Sequence, residues 1–190
     1  MEAHTYYGSI FSFTDHELYI VTSRAGEREN GQIATWIMPA TLVPDTPRLV
    51  AIMSPSNLTH DLIQQSGRFT VTMLAEGQEE YVPLFGLVSG RDIDKLDGIP
   101  LERTASGLPV PKGGCGWADC IIVESINAGD RIVYLADIVE QRIVTGLRPL
   151  RKSVAFSNLS PDIRTLLEAK QRQDGERDRA ILRKFGREAQ

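Results

Sequence analysis

Three short runs in the chain carry side chains able to hold a phosphate or a flat polar ring. The first is Ser54-Pro55-Ser56-Asn57-Leu58-Thr59-His60-Asp61. An apolar, β-rich run over residues 48–54 ends there, and Leu58, Leu62 and Ile63 then recur at helical spacing. The first amides of a helix have no internal acceptors, and the macrodipole adds partial positive charge. Ser54, Ser56, Asn57 and Thr59 would crowd that point with small polar groups, enough to seat a phosphomonoester without a lysine. Ordinary helix capping, with Thr59 as N-cap, explains the same residues equally well.

The second run is Glu29-Asn30-Gly31-Gln32-Ile33-Ala34-Thr35-Trp36. Asn30-Gly31 carries tight-turn chemistry. The residues after it mix polar Gln32 and Thr35 with apolar Ile33, Ala34 and Trp36, as suits a strand whose backbone reads the edge of a heterocycle. A plain hairpin with Trp36 in the core is the competing reading. The third run, residues 89–95, places Arg91 and Lys95 four apart in a long loop. They either meet a phosphate or substrate anion, or are neutralised in solvent by Asp92 and Asp94.

Other chemistries lack their parts. Gly114-Cys115-Gly116 opens like a dinucleotide fingerprint, but the third glycine is missing and a β segment follows instead of a helix. No P-loop and no Gly-x-Ser-x-Gly elbow occurs. His4, His16 and His60 are scattered, and Cys115 and Cys120 have no neighbouring ligand pair, so no metal site is expected. No catalytic side chain is assigned.

The elements that must position these runs are mostly strands. Residues 17–23, 32–38, 48–54, 68–74, 117–125 and 131–140 have β character, with residues 141–144 continuing the last. The run at 48–54 reads as buried on both faces, and 68–74 as half-buried. Residues 26–31 read as a turn, residues 55–67 as a helix stopped by Gly67, and residues 78–85 as a short helix. Residues 86–114 read as a long functional loop. Asn127-Ala128-Gly129-Asp130 joins the last two strands as a hairpin. Ser160-Pro161-Asp162 starts a basic helical tail that Gly175 is expected to break. The bland reading of that tail is a solvated helix packed on its own domain or dimer. The predicted fold is mainly β, a barrel or sandwich over residues 1–150 with a helical extension over 151–190.

Composition bounds the rest. With 190 residues, 42% hydrophobic and 24% charged, the chain can form one ordinary core, and a net charge of -4 disfavours nucleic acid as partner. No apolar run approaches the roughly 18 residues of a membrane span. Residues 1–7 show no secretory pattern, and two cysteines suit a reducing compartment, so a cytoplasmic location is expected.

In order, the chain resembles the flavin reductase-like family, which has the FMN-binding split β-barrel fold, and is closest to its flavoredoxin-like branch. The resemblance rests on Leu18 to Ser23, Asn30 to Thr35, Leu49 to Ser54, Asn57 to Asp61, Phe69 to Leu74, Phe85-Gly86, Ser89 to Lys95 and Ala128-Gly129-Asp130. It implies a homodimer with FMN near the interface and electron transfer between NAD(P)H or a redox partner protein and the flavin. It also implies that Gln32 to Trp36 line the ring edge, that Ser54, Asn57 and Thr59 hold ribityl and phosphate, and that Arg91 and Lys95 approach the phosphate or the other subunit. A flavoredoxin-type carrier with fixed FMN, or a non-catalytic ligand-binding barrel, are the alternatives. Two-component reductases often carry Gly-Asp-His at the hairpin, where this chain has Gly129-Asp130-Arg131, which puts direct use of NAD(P)H in question.

Overall fold

The computed structural model describes residues 10–188, so the expectation for residues 1–7 lies outside the described residues. Seven strands form one antiparallel sheet: β1 (Tyr19–Ala25), β2 (Arg28–Ala34), β3 (Ile37–Pro39), β4 (Arg48–Met53), β5 (Arg68–Met73), β8 (Gly116–Asn127) and β9 (Ile132–Ile143). β6 (Leu101–Arg103) and β7 (Pro109–Pro111) make a separate hairpin. The sheet order is β2-β1-β5-β8-β9-β4-β3.

β2 and β3 occupy opposite edges of this sheet, yet only Thr35 and Trp36 separate them in the chain. The peptide units from Ala34 to Ile37 reach at most roughly 11 Å. The sheet must therefore roll until its edges almost meet, giving a barrel with one open seam. On the β3 side of that seam the Ile52 N–H donates to the Trp36 carbonyl at 3.0 Å, extending the β3–β4 ladder up to the two-residue link. This is the split barrel that the resemblance implies.

The barrel interior is filled by Val21, Leu49, Ala51, Phe69, Val71, Cys120 and Tyr134, with Ile63 contributed by α1 (Leu58–Ser66). Successive strand residues face opposite ways, so Ile20 beside Val21 points outward. A second core covers it there, in which Ile20, Leu18 and Leu74 pack with Tyr81, Val82 and Phe85 of α2 (Tyr81–Leu87) and Ala155 of α3 (Lys152–Asn158). The first strands are thus sandwiched.

Several local expectations change. β4 alternates, with Leu49, Ala51 and Met53 buried and Val50 and Ile52 only partly so. β5 is buried on both faces, because the β6–β7 hairpin covers Thr70 and Thr72 as well. Thr22 and Thr70 both donate to the Pro109 carbonyl, Thr70 at 3.2 Å, which fixes that hairpin to the sheet. The long segment before Gly114 therefore has structure of its own. Ser106 Oγ donates to the buried Asp119 carboxylate at 2.5 Å and ties it down further.

The turn before β2 sits at Gly26 (φ 60°), and Asn30 and Gly31 lie in mid-strand opposite Ser23 and Thr22. Gly31 is needed there for space. A Cβ would come within 2.6 Å of Phe85 Cε1 and 3.2 Å of Thr22 Cγ2. The N-cap of α1 is Asn57 rather than Thr59, and Gly67 ends the helix in the left-handed region at φ 68°, as expected. The tail forms one helix, α4 (Pro161–Glu188), unbroken at Gly175. Good helix formers on both sides outweigh one glycine, which costs about 1 kcal/mol.

Substituting the two glycines should move stability in opposite directions. Gly31→Ala forces a methyl against Phe85 and should lower unfolding free energy by about 1–3 kcal/mol in urea. Gly175→Ala meets nothing within 4 Å and should raise it by about 0.5–1 kcal/mol. A destabilising Gly175→Ala would mean the helix is not continuous there.

Candidate functional site

The barrel seam opens into a slot of about 270 Å³. One wall is the end of β2 and the link after it: Gln32, Ile33, Ala34, Thr35 and Trp36. The facing wall is the end of β4 and the start of α1, with Met53, Ser54 and Asn57. Lys152 and Phe156 of α3 and Leu167, Lys170, Asp174 and Arg177 of α4 close the remaining side, with Arg131 from the β8–β9 turn.

β2 is an edge strand, so alternate residues turn their backbone groups away from the ladder. Gly31 is one of these, since its carbonyl accepts from Lys95 Nζ at 3.1 Å. Ile33, two residues on and in the slot wall, presents its N–H and C=O in the same direction. Gln32 is buried, and its Oε1 has no hydrogen-bond partner among the described residues. A buried acceptor without a partner costs about 1–3 kcal/mol. Gln32 lines the slot, so this oxygen could accept from a ligand donor there. Asn57 sits at the N-cap in extended conformation (φ -87°, ψ 141°) and makes no side-chain capping bond, so its amide group is not engaged in closing the helix.

The structure brings seven of the sequence-selected residues together here: Gln32, Ile33, Ala34, Thr35, Trp36, Ser54 and Asn57. Asn30, Ser56, Thr59, Arg91 and Lys95 are not in the wall. Asn30 Nδ2 donates to Thr59 Oγ1 at 2.9 Å, and both are buried, so this pair joins β2 to α1. Ser56 is exposed, and its N–H donates to Ser54 Oγ at 3.3 Å. Arg91 pairs with Asp61 at 2.7 Å on the surface. Lys95 is buried and donates to the Gly31 and Phe85 carbonyls. Burial first, and Lys170 second, depress its pKa from 10.5 to about 8.

The residues missed by sequence reasoning are Lys152, Phe156 and the α4 face. Lys170, Asp174 and Arg177 recur every three to four residues, a signal present in the sequence but read as a solvated face. Burial lowers the Lys152 pKa, and Asp15 opposes that shift.

A rolled seven-strand sheet with a slot at its seam, floored by a helix N-terminus, defines a split-barrel protein of the flavin-reductase kind. The chain belongs to the flavin reductase like domain family, whose model matches residues 11–153. It is 28% identical over 135 residues to the high molecular weight rubredoxin of Moorella thermoacetica, covering 70% of this chain and 58% of that protein. It is 26% identical to the ferric-chelate reductase (NAD(P)H) of Archaeoglobus fulgidus, over 67% of this chain and 75% of that one. The FMN-binding protein of Thermus thermophilus superposes with a TM-score of 0.67 at 26% identity, covering 74% of this chain and 80% of that one.

The Lys95 environment yields a pH test. Between about pH 8 and 10.5 the unfolded chain holds the Lys95 proton and the folded chain has released it, so rising pH favours the fold in that window. Wild type should therefore gain stability relative to Lys95→Met as pH rises from about 8 towards 10.5, read by urea denaturation across that range. A difference between the two that stays constant with pH would mean Lys95 keeps an ordinary pKa.

Proposed function

We propose that the seam slot binds FMN and that the chain is a flavin-dependent oxidoreductase moving electrons between NAD(P)H, or a protein donor, and the flavin. The observation that carries this reading is the partnerless buried acceptor of Gln32, set beside the outward-facing backbone of Ile33 and opposite the start of α1. A flavin's pyrimidine edge carries an N–H donor between carbonyl acceptors, which suits that pairing. Ser54, Asn57 and the opening amides of α1 would hold the phosphate end. Bound FMN would supply hydride acceptance and single-electron steps. Gln32 and the Ile33–Trp36 backbone would orient the ring edge and set its electrostatics. Thr35 and Trp36, fixed at the seam, would limit water access. No side-chain acid or base is required.

A protein electron donor with permanently bound FMN is the second reading. It is favoured by Arg131, which stands in the slot wall where two-component reductases often carry histidine and is paired with Asp178 at 2.7 Å. A homodimer accompanies either reading. The slot is slightly smaller than the roughly 300–1,000 Å³ of complete small-molecule sites, so a second subunit would finish it. The long β8–β9 arms leave Ile121, Val123, Ile126, Val139 and Ile143 exposed, an apolar face suited to a second copy. A mostly apolar cavity of about 480 Å³, lined by Ile37, Met38, Leu49, Trp117 and Ile138 with Arg48, Gln141 and Arg142 among its polar residues, adjoins those arms. The free thiols Cys115 and Cys120 fit a reducing cytoplasm.

Purified protein should take up FMN with a shifted visible spectrum, and Asn57→Ala should weaken binding by about 1.5–3 kcal/mol if the amide meets charged phosphate. Thr59→Ala should act on stability instead, since that hydroxyl serves Asn30. A colourless protein that leaves free FMN unchanged would end the proposal. Rapid bleaching of the flavin by NADH would favour the reductase reading, and slow bleaching the carrier reading. In sedimentation, Val139→Lys combined with Val123→Lys should convert a dimer to monomer.

A further inference from the structure

α4 lies outside the family match yet forms one side of the slot. Three attachments hold it there. Near its start, Leu167 packs on the second core and passes so close to Gly86 that a Cβ there would lie 3.4 Å from Leu167 Cδ2. In the middle, Asp178 accepts from Arg131 at 2.7 Å, with side-chain exposures of only 7% and 16%. Towards its end, Phe185 rests on Gly129, where a Cβ would come within 3.0 Å of the ring and where φ is +91°.

Arg131 also lies over Trp36, its guanidinium carbon 5.6 Å from the ring centroid, which is cation–π range. Trp36 is slot wall. One guanidinium therefore joins the β8–β9 turn, α4 and the residue at the barrel seam. The α4 face turned to the slot is largely charged, with Lys170 and Arg177 sharing Asp174 at 3.1 and 2.8 Å. Asp178 also accepts from Arg177 at 2.8 Å, so one buried carboxylate joins a slot-facing cation of α4 to Arg131 and ties the middle of the helix to the barrel. The two cations on that face also gain a further partner when an anionic group enters the slot.

We propose that α4 is the closing wall of the flavin slot and that Arg131 is a positioning residue coupling its docking to Trp36. Slot occupancy and α4 docking then stabilise one another. This rests on reading the slot as a flavin site. Reciprocity follows from linkage: if docked α4 tightens FMN, then FMN must hold α4 down by the same factor.

The test uses the full chain with and without FMN. Tryptic cleavage within α4, at Arg172, Arg177, Arg179 and Arg183, reads helix docking, and quenching of flavin fluorescence reads affinity. FMN should slow cleavage in wild type. Asp178→Asn should speed cleavage without FMN and weaken FMN binding by about fivefold or more. Asp178→Glu, which keeps the charge, should recover both. Phe185→Ala attacks the same docking from the far end without altering charge and should move both readouts in the same direction. Faster cleavage with unchanged FMN affinity would overturn the coupling, and unchanged cleavage in Asp178→Asn and Phe185→Ala would overturn the docking role. If wild type binds no FMN, the flavin reading fails and the coupling with it, while the cleavage rates still decide whether Arg131–Asp178 holds the helix.

Discussion

The two-residue bridge between opposite edges of the sheet is the constraint on which the molecule depends. Thr35 and Trp36 can span only about the width of two strand spacings, so β2 and β3 are held close whatever the rest of the sheet does. They do not pair with each other. The edges are near enough to face one another and too far apart to zip, and this leaves backbone donors and acceptors aimed into a narrow gap. An ordinary edge strand with that property invites aggregation. Here α1, α2 and α4 cover the gap, turning unpaired backbone into the wall of a slot.

Keeping that wall in place takes polar chemistry in the interior. Asn30 and Thr59 join β2 to α1, and Lys95 ties the outward carbonyl of Gly31 to the end of α2. Each group is costly to bury and each has a partner, so removing one would leave the other stranded. Gln32 is the exception, buried next to these pairs with its oxygen unmatched. Arg68 Nε and Thr72 Oγ1 are likewise without partners among the described residues, but neither lines the slot, so Gln32 is the unmatched acceptor in its wall and the basis for proposing a ligand there. The supports and the slot are therefore separate sets of residues, although they sit side by side in sequence.

That separation explains what could be read from the sequence. Strand positions, the β8–β9 hairpin, the Gly67 stop and the barrel class follow from period-two patterns and turn residues, which are local signals. Gln32 to Trp36, Ser54 and Asn57 were also legible, because strand end and helix start are local features. Asn30, Thr59 and Lys95 share the same polar vocabulary, yet their side chains turn towards each other, and only tertiary register decides that. Gly31 looked like a turn residue because Asn-Gly usually is one. Its reason for being glycine is Phe85, more than fifty positions away. Residues 86–114 looked structureless because the β6–β7 hairpin is short and its partners, Thr22 and Thr70, belong to distant strands.

The α4 face is the clearest case of information present but not local. Lys170, Asp174 and Arg177 keep helical spacing with few apolar companions, a pattern that by itself describes a helix in water. What brings it against the barrel is a set of features elsewhere: small residues at Gly86 and Gly129 that admit Leu167 and Phe185, and Arg131 offered at the hairpin for Asp178. A polar face docked over a polar slot gains less from burial than an apolar one. On the proposed reading its position would therefore be sensitive to charge in the slot, although the helix lies beyond the residues that match the family.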